Sequence, residues 1–202
     1  MMATTHVLAG VLVGLGTLAL VPEAGPVVLA GALGGLAPDL DLAGAHRKDL
    51  HFPGYGSIAA VLAVVAAAVA PSPATLSLAA FLVAAAVHAV SDVLGGDLTL
   101  RPWEATGDRA VYEHLRGRWH PPRRLIRYDG APEDLLVGIA LALPSLAMLD
   151  GVSQSTVAAL VIVSAGYTLV RRSLVDAGER LVAAAPAAVL AAIPETVIED
   201  LR

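Results

Sequence analysis

Six apolar segments, joined by links that carry positive charge only at every second crossing, constrain this chain more than any other feature. They are residues 7–21, 26–38, 55–70, 73–95, 134–149 and 153–170, each bounded by Pro, Gly or charged side chains. Several fall short of the ~20 residues that cross a ~30 Å hydrocarbon core, and the second is the least secure. No Lys or Arg precedes the first segment, so it reads as a retained span rather than a signal peptide. A seventh stretch, residues 181–193, is interrupted by Pro186 and reads equally as an interfacial helix, a half-span or a short span. The expected fold is all-α, a polytopic transmembrane helical bundle of about six spans with room for a short C-terminal apolar helix. An Ala-rich soluble bundle is disfavoured because no polar stripe recurs at helical spacing.

Composition agrees with a membrane bundle. The chain is 56% hydrophobic and 15% charged, whereas a soluble domain averages about 25% charged. Zero Cys excludes disulfides, thiolate zinc sites and cysteine nucleophiles, so any metal must be held by His and carboxylate. A net charge of -5 gives no global basic field, and nucleic acid is disfavoured as a partner.

If six helices alternate in direction, one membrane face receives the N-terminus, loops 39–54 and 96–133, and everything after residue 170. All thirteen Lys and Arg fall on that face, and the links near 21–25, 70–74 and 150–153 carry none. The positive-inside rule makes this face cytoplasmic, predicting a multi-pass protein of the cell (inner) membrane with both termini inside. Three regions follow: a membrane domain over 1–105, an Arg- and aromatic-rich cytoplasmic loop over 106–133, and C-terminal membrane helices over 134–202. Interleaved Arg and aromatics in that loop suit anionic headgroups better than a lid or a nucleic-acid surface, so membrane lipids are an expected partner. The oligomeric state is left open.

The remaining ionisable groups gather on the same face. His6 opens the first span, Asp39 and Asp41 close the second, His46, Arg47, Asp49 and His51 lead into the third, and His88 and Asp92 close the fourth. His88 and Asp92, four apart on a helix, can point at a single ion. Two carboxylates just after Pro38 suit a divalent cation. The expected metal ligands are His6, Asp39, His46, His51, His88 and Asp92. The ion is expected to be divalent, with Zn ahead of Mn or Fe, and the surplus of ligands allows one ion or two bridged by a carboxylate. His114 and His120 are weaker candidates that read as surface residues.

Four motifs carry a resemblance: Thr5-His6, Pro38-Asp39-Leu40-Asp41, His46-Arg47-Lys48-Asp49-Leu50-His51, and His88-Ala89-Val90-Ser91-Asp92. In this order and spacing they resemble the bacterial and archaeal membrane-bound metal-dependent hydrolases, a family of small inner-membrane proteins, over roughly residues 1–105. Leu42, Leu50-His51-Phe52 and Gly95-Gly96 stand where that family often has His, Thr-His-Ser and Thr. The resemblance implies a metal-dependent hydrolase with a cytoplasm-facing site. On the residues themselves, Asp41 or Asp49 could serve as general base and Arg47 could stabilise anionic charge. Headgroup depth favours a small phosphoester or lipid-like substrate. The rival readings are a non-enzymatic metal-stabilised scaffold and a divalent-cation transporter, the latter disfavoured by the purely apolar far halves of the spans.

Overall fold

The computed structural model describes residues 1–22 and 26–190. Most of the link at 21–25, residues 191–193 of the seventh apolar stretch and Arg202 lie outside the described residues. Each of the six apolar segments forms a helix: α1 (Ala3–Leu20), α2 (Val27–Leu36), α3 (Pro53–Val69), α4 (Pro73–Ser91), α5 (Pro132–Met148) and α6 (Gly151–Ala184). Proline at the first position opens α3, α4 and α5, where its missing N–H costs nothing. Ser72 and Thr75 add a reciprocal capping box to α4.

Three of these helices are long and apolar enough to cross a membrane: Ala3–Leu20, α4 with its 3₁₀ extension (Pro73–Leu94), and α6. The count differs from the six spans expected. Helix α2 has only ten residues, roughly 15 Å at 1.5 Å per residue, before Pro38 and a 3₁₀ turn over Ala37–Ala43 end it. Helix α3 reaches 17 residues. Helix α6 does not stop near Val170 but runs for 34 residues, so Leu181–Ala184 of the seventh stretch form its last turn. A separate four-residue turn of helix follows at Ala187–Leu190.

Glycines set how the first helices meet. A Cβ on Gly10 would lie 2.1 Å from the Gly31 carbonyl oxygen, and one on Gly35 would lie 2.3 Å from that of His6. On the other side of α2, a Cβ on Gly34 would lie 2.1 Å from the Phe81 carbonyl oxygen of α4. Small residues permit such backbone approach, and in lipid the van der Waals packing so gained drives helix association. Helix α2 is thereby clamped between α1 and α4, which accounts for how so short a helix is retained. A second cluster joins Leu8, Val11 and Leu15 of α1 to Ala142 of α5 and Val157 of α6.

The start of α1 is fixed by a group that sequence reasoning used only as a segment boundary. Asp134, fully buried in the first turn of α5, accepts hydrogen bonds from Met2 N (2.7 Å), Thr5 Oγ1 (2.8 Å) and Gly130 N (3.1 Å). The long loop after α4 is ordered rather than structureless. It contains an antiparallel pair, β1 (Val111–Glu113) with β2 (Arg118–His120), and its backbone nitrogens at Arg123, Arg124 and Ile126 bond to the carbonyls of Val93, Gly95 and Leu94.

Candidate metal centre

The ends of α2 and α4, the start of α1 and the loop before α3 meet at one end of the bundle. There the structure brings together His6, Asp39, His51, His88 and Asp92; four of the five are buried, and Asp39 is half-buried. Two overlapping triads have ligand atoms close enough to share an ion: His6, His88 and Asp92, and Asp39, His51 and His88.

The imidazoles are oriented from behind. His88 Nδ1 donates to the Gly35 carbonyl at 2.7 Å, and His51 Nδ1 donates to Asp41 Oδ2 at 2.8 Å. Metal-ligating histidines are commonly fixed this way, with the outer nitrogen held by a carbonyl or carboxylate and the inner one presented to the ion. The two inner atoms, His51 Nε2 and His88 Nε2, stand 3.3 Å apart. Asp92 Oδ2 lies 3.2 Å from the first and 3.6 Å from the second, while Asp39 Oδ1 lies 3.9 and 3.4 Å from them. A tetrahedral ion with bonds of about 2.0–2.2 Å separates its ligand atoms by roughly 3.3–3.6 Å; the two imidazole nitrogens and Asp92 Oδ2 stand at about those separations, and Asp39 Oδ1 does so from His88 Nε2 while lying farther from His51 Nε2.

With both rings neutral, these four atoms are all acceptors and no hydrogen lies between them. Asp92 Oδ2 is buried without a hydrogen-bond partner. Buried acceptors in that condition are costly unless a cation or a proton satisfies them, and protonated imidazole would pair with the same carboxylates. The cage therefore fits a divalent ion by donor type and spacing, and in its absence its members form His–Asp ion pairs. Asp92 also reaches outward: its Oδ1 faces His6 Nε2 at 3.2 Å and Met1 N at 3.1 Å. The His6 ring stacks on His88 with centroids 3.6 Å apart.

Asp41 sits one layer out, as a clamp. Its Oδ1 accepts from His46 Nδ1 at 2.7 Å and its Oδ2 from His51 Nδ1, with Leu50 N adding a third bond at 3.2 Å. Desolvation opposes its charge, but the two histidine hydrogen bonds outweigh that and hold its pKa below the ordinary 3.8. Asp39 behaves likewise: burial raises its pKa, but the hydrogen bond with His88 and the charges of His88 and His6 together lower it below the ordinary value. His46, expected as a ligand, is outside both triads and is half-buried beside Asp41. Asp49 is exposed, and its Oδ2 accepts from Ala45 N at 2.8 Å.

Arg47 is buried against the centre. Its backbone has φ of 58°, a conformation that costs a non-glycine residue energy and persists where surroundings enforce it. The enforcing contacts are Tyr112 N on its carbonyl at 3.0 Å and Gly96 O on its Nη1 at 3.0 Å. Its Nε points to Asp92 Oδ2 from 3.6 Å and has no hydrogen-bond partner.

The arginine-rich loop is largely engaged within the protein. Arg101 bridges Asp176 and Glu179 of α6, Arg124 pairs with Asp97, and Arg127 with Glu133. Arg171 and Arg172 of α6 lie over the Trp103 ring. Arg116, Arg118 and Arg123 remain exposed. His114 packs on Phe52, and His120 approaches Glu113 at 3.9 Å; neither belongs to the triads. Comparison with protein-family models, with curated proteins and with solved structures returned no match.

Proposed function

We propose that this chain is a membrane-embedded, metal-dependent hydrolase acting on a phosphoester. The observation that carries the reading is the convergence of His51 Nε2 and His88 Nε2, 3.3 Å apart, with Asp92 Oδ2 and Asp39 Oδ1 each within 4 Å of both, the outer nitrogens of both imidazoles being already engaged. These four would hold the ion, and His6 with the outer oxygen of Asp92 would extend the site to a second one. A divalent cation in this cage supplies Lewis acidity and makes water nucleophilic near neutral pH. Ionisable side chains at this depth in apolar helices are expensive, and they mark function more often than architecture.

The other residues have separable tasks. Asp41 holds His46 and His51 in orientation. His46, half-exposed and oriented through Nδ1 by Asp41 at 2.7 Å, is the group assigned to take a proton from attacking water. Arg47 offers the unpartnered Nε to anionic charge that grows on the scissile group. The reading keeps the six-crossing topology, with the shorter α2, α3 and α5 completing the bundle and the metal centre facing the cytoplasm. Its support is that every Lys and Arg lies on alternate links or beyond Val170, in the second half of α6 and the segment after it. The resemblance to membrane-bound metal-dependent hydrolases over residues 1–105 points the same way.

The test is hydrolysis of aryl phosphodiesters, phospholipids and aryl amides by purified, metal-loaded protein. Phosphodiester turnover that is lost on chelation and in His88→Ala, and kept in His120→Ala, is the expected result. No metal-dependent product from any substrate, with ligand variants that all unfold early, would favour a scaffold held together by its metal.

A further inference from the structure

A cavity of about 520 Å³ adjoins the metal centre, within the ~300–1,000 Å³ of ordinary ligand pockets. Asp39, His46 and Arg47 line it on the side of the motifs' residues. The rest of the lining includes parts of the chain outside the four motifs: Leu98 and Leu100 of the loop, and Val163, Ser164 and Tyr167 of α6.

The charges on these walls already have partners. Arg171 donates to both oxygens of Asp129, Tyr167 donates its hydroxyl to the same carboxylate, and Asp97 is paired with Arg124. Ser164 donates to Thr4 Oγ1 at 2.7 Å. Arg47 faces Asp92 Oδ2 at 3.6 Å and gives Nη1 to Gly96 O, while its buried Nε makes no hydrogen bond. A ligand lying here meets a guanidinium with one unused N–H beside the metal centre and a surface of Leu42, Leu98, Leu100 and Val163 with little spare hydrogen-bonding capacity. A sugar phosphate would leave its hydroxyls unpaired against those walls. An ester with an apolar arm would not.

We propose that this cavity is the substrate chamber and that Leu98, Leu100 and Val163 select a phosphoester bearing an apolar arm, its anionic group at Arg47 and its arm along α6. The inference rests on the hydrolase reading for its chemistry, but the chamber can be tested without turnover. Val163 is 59% exposed, so the chamber opens along α6 and an arm longer than the cavity can leave it there.

The experiment uses the full chain, zinc-loaded, in lipid nanodiscs, with aryl phosphodiesters whose second ester group is methyl, ethyl, propyl or butyl. Alkylphosphonic acids with the same alkyl arms, which have no ester bond to hydrolyse, serve as binding probes. Complete burial of a methylene is worth about fourfold, the equivalent of ~0.8 kcal/mol, so kcat/KM should climb at least about tenfold from methyl to butyl. Leu100→Trp and Val163→Trp, which fill the chamber, should flatten that climb, and Val87→Trp, in the separate groove between α3 and α4, should leave it intact. If no ester is hydrolysed, phosphonate affinities that show the same climb and the same losses still establish the chamber. Hydrolysis with no dependence on arm length, or a climb indifferent to both tryptophans, overturns the inference and leaves the hydrolase reading standing.

Discussion

Replacing Gly35 by Ala tests the coupling between helix packing and the metal centre. A methyl at this position would sit 2.3 Å from the His6 carbonyl oxygen and 2.9 Å from its carbon. Ordinary contact begins at 3.4 Å, so α2 must withdraw from α1 by about 1 Å. The obstructing atoms are backbone, which no rotamer change can move. Overpacking of this kind costs about 1–3 kcal/mol. The same shift carries away the Gly35 carbonyl that orients His88 Nδ1, a hydrogen bond worth about 0.5–1.5 kcal/mol. We expect a loss of roughly 2–4 kcal/mol by denaturant titration in detergent, and a 10–100-fold fall in metal affinity, the usual effect of losing an orienting partner. Gly16→Ala is the control, because nothing lies within 4 Å of its would-be Cβ and Ala is the better helix former by about 1 kcal/mol. A Gly35→Ala protein as stable as the native one, with undiminished metal affinity, would refute the close α1–α2 approach and the role given to that carbonyl.

Asp41→Asn should weaken metal binding by about 10–100-fold while Asp49→Asn leaves it unchanged, as read by competition with a chelating dye; equal effects would remove Asp41 from behind His51. In the metal-free chain, the folded Asp41 pKa lies below 3.8. Its contribution is therefore complete above about pH 3.8 and lost as the pH falls through the lower folded value, so the stability gap between native and Asp41→Asn protein should close only below that pH. Single cysteines at Gly44 and Gly107 should be protected from an impermeant thiol reagent in intact cells and one at Ser72 should react; labelling of Gly107 from outside would invert the topology.

How much of this was legible before the structure depends on which physical rule was in play. Alternation of apolar segments puts the start of α1, the ends of α2 and α4 and the approach to α3 at one end, and that suffices to collect His6, Asp39, His51, His88 and Asp92. Spacing says nothing about depth within the collection. His46 and His51 flank the same arginine, yet one is tied back to Asp41 and the other presents Nε2 to the cage. Asp41 looked like a free carboxylate because two histidines reaching it from the following loop leave no periodic mark in the sequence. Hydropathy finds the six apolar segments and the shortness of the second, which Pro38 bounds and which folds as a ten-residue helix, but segment length alone does not say which of them cross. Gly10, Gly31, Gly34 and Gly35 form a small-residue pattern on two neighbouring helices that is legible in the sequence. The ordering of the long loop was beyond reach, because its arginines find acceptors such as Asp176 and Glu179 some 75 residues onward.

Metal content per chain, measured by elemental mass spectrometry on protein purified in mild detergent without added chelator, tests the central claim most directly. The account predicts one or two divalent ions per chain, lost in His51→Ala and His88→Ala and retained in His114→Ala and His120→Ala. A native chain without stoichiometric metal after reconstitution with Zn, Mn or Fe, or unchanged content in both His51→Ala and His88→Ala, would contradict it.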